Sequence, residues 1–381
     1  MGTQKKIVII GPAYPLRGGL ASFNERLAKE LQSKGHEVLI VTFSLQYPSF
    51  LFPGTTQYSS GEAPQNLDIR ILINSVNPIN WIKTGQLLKQ LKPDLIIVRY
   101  WLPFMGPCLG TILRIAKKNH HTKTICIADN ILPHETRLGD KVFTKYFIKP
   151  IDAFITMSEK VLDDLRKINP LKPALTLPHP LYDNFGDPVS KTEARNHLSL
   201  PNEVKIILFF GFIRKYKGLD ILLEAMANER IRESGILLLV AGEFYQDSKP
   251  YLDLIDKLEI KDNVILRTNF IEDAEVKYYC CAADAIVQPY RNATQSGVTP
   301  LAYHFNKPMI VTNVGGLAKM VIHGETGLIA EPDATSIANQ ILAYFNLGEE
   351  HFMPNLQIQK KKLSWESFSS SLISLYNDIQ K

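Results

Sequence analysis

The sequence predicts two doubly wound α/β domains in tandem, each built on a parallel sheet. Three observations predict this. Short apolar runs alternate with helical patterns along the whole chain. The runs are continuously apolar, as expected of strands covered on both faces. The opening "KIVIIGPA" is echoed by "KIILFFGF" after residue 204, as if a second domain restarts. A length of 381 residues accommodates about two domains.

In the first half, strands are expected at 6–11, 37–43, 68–72, 94–98, 123–128, 153–156 and 174–177. Helices fill most of the gaps, including 20–33, 79–91 and 161–168, where apolar residues recur at helical spacing. The stretch "PHPLYDNFGDPVSKTEARNHLSLPNE" is rich in Pro, Asn, Asp and Ser and reads as a hinge. Further strands follow at 205–210, 236–241, 263–266, 285–288 and 309–312. The tail "WESFSSSLISLYNDIQK" carries Trp365, Phe368, Leu372, Leu375 and Ile379 at helical spacing. The expected domains are 1–185, completed by the terminal helix 364–381, and 186–363.

Composition excludes several classes. Apolar residues make up 45% and charged residues 21%, an ordinary globular balance. A net charge of +5 suits an anionic ligand or a loose membrane-surface contact, and is too small and dispersed for nucleic acid. Four cysteines, Cys108, Cys126, Cys280 and Cys281, form no CxxC and have no His at zinc-ligand spacing. Reduced thiols and an N-terminus that enters a strand directly predict a cytoplasmic protein. The apolar stretch 95–116 is interrupted by Arg99, Pro103, Pro107 and Arg114, which argues against a membrane span.

Open parallel sheets bind ligands outside the carboxyl ends of their strands, so the loops there are the informative ones. In "PAYPLRGGLASF", Gly18 and Gly19 open a helix, where free N–H groups favour an anion; a simple tight turn is the other reading. It is not G-x-G-x-x-G, and no acid ends the second strand, which disfavours a nicotinamide dehydrogenase. "IADNILPHETR" gathers Asp129, Asn130, His134 and Glu135 at a strand mouth. They can orient a hydroxyl or accept its proton, or simply form a capped, solvated loop. "FGFIRKYKGLD" sets Arg214 and Lys217 before a helix, with Gly218 allowing close approach; this suits a diphosphate clamp and is not a Walker loop. In "YRNATQSGVTPLAYHFNKP", Thr294, Gln295, Ser296, Gly297, Val298 and Thr299 offer amides to phosphate oxygens and side chains to neutral hydroxyls. Gly315–Gly316 and the turn at Gly324 and Gly327 read as turn geometry.

Together these features resemble a retaining glycosyltransferase of the GT-B fold, family 4 in type. The glycine pair, "GFIRKYKGLD", the "PY…SG…PLA…KPMIVT…GG" run and "HGETGLIAEPD" carry the resemblance over nearly the whole chain. It implies two Rossmann-like domains facing a cleft, with the terminal helix crossing back to the first. It implies a nucleotide-diphospho-sugar co-substrate and no other cofactor, with Arg214 and Lys217 on the diphosphate, the 296–299 amides on the distal phosphate, and Gly18 and Gly19 approaching from the other domain. Basic side chains and dipoles stabilise the leaving group, so no metal is required. The acceptor, a saccharide or lipid-linked saccharide, is expected on the first domain, beside Asn130, Glu135 and the aromatic stretch at Arg99, Tyr100 and Trp101. That stretch is either core or an acceptor groove at the membrane surface. Asp129 and His134 are expected to orient substrate. Two positions depart from the family: Ala293 and Leu301 stand where it carries a glutamate pair, and Asp129 stands where many members have His. Rival readings are a nucleotide-sugar epimerase of the same fold and a non-catalytic nucleotide-sugar-binding protein.

Overall fold

A computed structural model describes residues 3–48, 57–59, 62–132, 139–293 and 296–381. The chain divides into two compact units, Met1–Pro178 with Trp365–Lys381, and His179–Ser364. The sequence puts the division at 185/186; residues 179–185 instead belong with the second unit, where Leu181 N–H donates to the Leu363 carbonyl at 3.0 Å.

In the first unit, strands β1 (Lys6–Ile10), β2 (Glu37–Leu45), β3 (Asp68–Asn74), β4 (Leu95–Tyr100), β5 (Lys123–Ala128), β6 (Ala153–Thr156) and β7 (Ala174–Thr176) form one parallel sheet, in the order β3-β2-β1-β4-β5-β6-β7. Side chains alternate across it. Ile7 and Ile9 enter one apolar layer with Phe23, Leu27 and Leu31, while Val8 and Ile10 enter the opposite layer with Leu109, Ile112 and Phe147. Both layers are apolar, which is why the central strands read as continuous apolar runs, whereas the edge strand β3 exposes Asp68 and Arg70. The helix Trp365–Asp378 closes the first layer: Trp365 and Phe368 meet Phe23 edge-on at 4.8 and 5.6 Å.

The second unit repeats the plan. Strands β8 (Lys205–Phe210), β9 (Ile236–Ala241), β10 (Val264–Arg267), β11 (Ala285–Gln288), β12 (Met309–Thr312) and β13 (Gly327–Ala330) run parallel in the order β10-β9-β8-β11-β12-β13. The two doubly wound units are the fold class expected from the sequence. The strand β13 falls within the stretch read as turns. Its four residues follow Gly324, and Gly327 lies so close to Met309 O that a Cβ would sit 2.1 Å from it. Among the described residues no helix is long and apolar enough to cross a membrane. All four cysteines are free and buried; burial pushes the Cys108 thiol up to about 12, so it is inert.

Candidate functional site

The second unit assembles its site at the carboxyl ends of β8 and β11. After β8 the chain passes Gly211 and reaches Arg214, whose guanidinium lies 4.0 Å from the centre of the Tyr245 ring. Arg214 Nε is buried without a hydrogen-bond partner. A 3-10 turn, Lys215–Lys217, then leads into the helix Leu219–Met226. The turn faces Lys217 inward: its ammonium lies 5.7 Å from the Tyr290 ring centre, and a Cβ on Gly211 would sit 3.1 Å from it. Lys215 stays exposed. Burial, reinforced by the charge of Arg214, pulls the Lys217 pKa down from 10.5 to about 8. Among the described residues no carboxylate forms an ion pair with Arg214 or Lys217. Two neighbouring cations with no ion-paired carboxylate among the described residues form a site suited to an anion.

Two glycines lock the loops around these cations. Gly218 has φ 68°, and a Cβ there would fall 2.0 Å from the Pro289 carbonyl oxygen. Only glycine lets the β8 loop touch the β11 loop. The junction is reinforced where Arg291 N–H donates to Tyr216 O at 2.7 Å and Arg291 pairs with Asp220 at 2.5 Å. Gly218→Ala should therefore lower stability by at least about 1–2 kcal/mol from backbone strain alone, read as a fall in melting temperature; Lys215→Ala, at an exposed position, should leave it unchanged. Gly315, at φ 51°, works alike: its Cβ would meet the Ala293 carbonyl oxygen at 2.0 Å, and Gly316 N–H donates to that oxygen at 3.0 Å. The glycine pair read from the sequence as turn geometry thus anchors the loop that holds the candidate ligand groups.

That loop differs from expectation. Thr294 and Gln295 lie outside the described residues. Thr299 is fully buried and its hydroxyl accepts from Gln288 Nε2 at 3.2 Å, so it is committed inside the unit. Ser296 Oγ accepts from Val298 N–H at 3.2 Å and lies 3.3 Å from the Tyr290 hydroxyl. Thr299 N–H donates to Ser296 O at 3.3 Å. The Val298 and Thr299 amides at the start of the helix Val298–His304 thus both donate to Ser296, one to its hydroxyl and one to its carbonyl, and are not free donors. Gly297 packs against the Tyr182 ring. Ala293 and Leu301 are buried apolar residues, 7% and 3% exposed. The sequence reading missed Tyr245 and Tyr290; exposed or strand-end tyrosines far from the cations gave no local signal.

In the first unit several expectations are corrected. Arg99 is 2% exposed and grips both oxygens of Asp129, at 2.6 and 2.5 Å, with its guanidinium 3.9 Å from the Phe23 ring centre. Arg99 is committed to the core, and Asp129, whose side chain is 17% exposed, is held by it. Tyr100 is fully buried, stacked on Phe147 at 4.1 Å with its hydroxyl 3.0 Å from Thr144 Oγ1, so it is core and not acceptor surface. The stretch 99–113 is largely core too: Pro103, Met105, Cys108, Leu109, Ile112 and Leu113 are buried, while Trp101, Leu102, Phe104 and Pro107 stay partly exposed. Trp101 stays half-buried, edge-on to Phe43 at 6.0 Å and donating its indole N–H to the Tyr47 hydroxyl. Gly18 and Gly19 are exposed at the start of the helix Gly19–Ser33, as the sequence places them. Asn130 is partly exposed beyond β5, and His134 and Glu135 lie outside the described residues. Among the described residues no cluster of three His, Cys, Asp or Glu could hold a metal.

Residues 17–178 match the model of Glycosyltransferase Family 4, and residues 190–355 match that of Glycosyl transferases group 1. A relative in Bacillus anthracis, N-acetyl-alpha-D-glucosaminyl L-malate synthase, is 23% identical over 96% of this chain and 94% of its own. Sucrose-phosphate synthase from Thermosynechococcus elongatus superposes with a TM-score of 0.70 at 19% identity, covering 99% of each chain. HepE from Anabaena, solved with UDP and glucose, superposes with a TM-score of 0.67 at 13% identity, over 98% of this chain and 100% of its own. These structures share the fold. The two family models divide the chain as its two units do, and the protein belongs to the group 1, family 4 type of glycosyltransferases.

Proposed function

We propose that the chain moves a sugar from a nucleotide-diphospho-sugar to a hydroxyl acceptor, with retention at the anomeric carbon. The observation that carries this is the Arg214–Lys217 pair: two cations with no ion-paired carboxylate among the described residues, the lysine depressed to about 8. A bound diphosphate supplies a counter-charge and moves the Lys217 pKa back up towards its ordinary value. As the sugar–oxygen bond breaks, charge grows on the departing diphosphate, and fixed cations stabilise it more than the ground state. The acceptor hydroxyl attacks from the face the diphosphate leaves, and its proton passes to a leaving phosphate oxygen. No strong protein base is needed, and the corrected role of Asp129 is compatible with that. No resident cofactor or metal enters the scheme. The acceptor is a saccharide or lipid-linked saccharide, in the assembly of a cell-surface polysaccharide or glycolipid. Supporting this class, a Bacillus subtilis relative 23% identical over 89% of this chain is named for teichuronic acid biosynthesis.

The buried apolar Ala293 and Leu301 favour a second reading, a binding protein without turnover. One experiment separates the two. UDP-, GDP-, ADP- and dTDP-sugars are screened by thermal shift, with slow donor hydrolysis followed by phosphorus NMR. A donor that stabilises the protein and releases its diphosphate supports the transferase; stabilisation without release, whatever acceptor is added, supports the binder. The anomeric configuration of the product, read by proton NMR, tests retention.

A further inference from the structure

The stretch 99–113 is largely core, and the first unit exposes an apolar face elsewhere. On the helix Asp140–Ile148, Val142 is 66% exposed, Phe143 40% and Tyr146 39%. Their neighbours on the outer side are Lys141, Lys145 and Lys149, all exposed. At about 100° per residue the three lysines, four apart, span roughly 80° of the helix surface, and the three apolar side chains span roughly the next 100°. The third side of the helix, Thr144, Phe147 and Ile148, is buried against the sheet. The Tyr146 ring is held for an interfacial role: the Arg114 guanidinium stacks on it at 3.6 Å, and its hydroxyl lies 2.9 Å from Thr111 Oγ1. An aromatic body with a satisfied polar tip is suited to a boundary between water and hydrocarbon.

We infer that this helix is a docking surface for an anionic lipid bilayer, lying in the headgroup plane with the apolar stripe inserted and the lysines on the phosphates. Charge complementarity selects the occupant. The only carboxylate on the helix is Asp140 at its start, so a second copy of the same face would set lysine against lysine. This rests on no feature of the sugar-nucleotide site, so its failure leaves the transferase reading untouched.

The test is flotation of the full chain with phosphatidylcholine vesicles, with and without phosphatidylglycerol. Binding is expected to the anionic vesicles alone. It should weaken as salt shortens the screening length towards about 3 Å at 1 M. The Lys141→Ser/Lys145→Ser variant removes two exposed charges and should lower the partition coefficient roughly thirty-fold. The Val142→Ser/Phe143→Ser variant should lose the remaining binding, including at low salt. Unchanged melting temperatures establish that both variants fold. Three results would overturn the inference: no binding to anionic vesicles, equal binding to neutral ones, or flotation that neither variant alters. A dimer in sedimentation velocity that Val142→Ser/Phe143→Ser dissolves would also overturn it, by assigning the face to a second copy.

Discussion

Lys217→Met is expected to make the ligand-free protein more stable at pH 7 while removing most of its turnover. The two effects share one origin. The ammonium is held at about 8 against an ordinary 10.5, so folding must keep a proton on a group its surroundings disfavour. The sign follows from linkage. Between those values the unfolded chain binds more protons than the folded one, so stability rises with pH there. The penalty is fully present below about pH 8 and gone above about pH 10.5. With a unit of pKa worth about 1.4 kcal/mol, and allowing for solvent at a partly exposed group, it amounts to about 1–3 kcal/mol. Methionine keeps the aliphatic stem and deletes the charge. Its melting temperature should exceed the parent's at pH 7, and the two curves should converge near pH 10. Turnover should fall about 10²–10³-fold, the usual cost of losing one preorganised group at a developing negative charge. Donor-induced stabilisation should shrink with it. A variant that is no more stable at pH 7, or that keeps full turnover, would remove Lys217 from the site.

Asp129→Ala should destabilise the first unit by about 3–5 kcal/mol, because it strands the charge of Arg99, 2% exposed, in the core. Arg99 has no spare partner; its Nη1 is already buried without one. The double variant Arg99→Met/Asp129→Leu removes both charges and should recover most of the loss, since a well-packed apolar pair often matches a buried ion pair. Urea unfolding of the four proteins in the cycle measures this. Loss of activity in Asp129→Ala alone is then a folding effect. If Asp129→Ala unfolds at the same urea concentration as the parent yet cannot turn over, the carboxylate acts on substrate after all.

Most of the architecture was legible because a strand covered on both faces must be apolar throughout, and such runs stand out beside helical spacing. Where the strand was four residues bracketed by glycines, at Gly327–Ala330, the signal fell to that of a turn. The cations were legible because Arg214 and Lys217 are close in sequence and follow a strand. Their surroundings were not. Tyr245, Tyr290 and the carbonyl pinned by Gly315 arrive from loops 30 to 100 residues away, brought in by strand order. Arg99 and Asp129 are neighbours only because β4 and β5 pair in register, Arg99 against Ile127 and Tyr100 against Ala128. Tyr100 could have been placed correctly by parity alone. It shares its face with Ile96 and Val98, both core.

The helix Trp365–Asp378 has a consequence for the order of synthesis. It belongs to the first unit, but a ribosome makes it only after all of residues 179–364. At about 5–20 residues per second, the first unit waits roughly 10–40 s with Phe23 and its layer uncovered. The second unit is continuous in sequence and carries no such delay. A nascent chain can therefore complete its second unit before its first, which stays open to chaperones until residues 365–381 emerge.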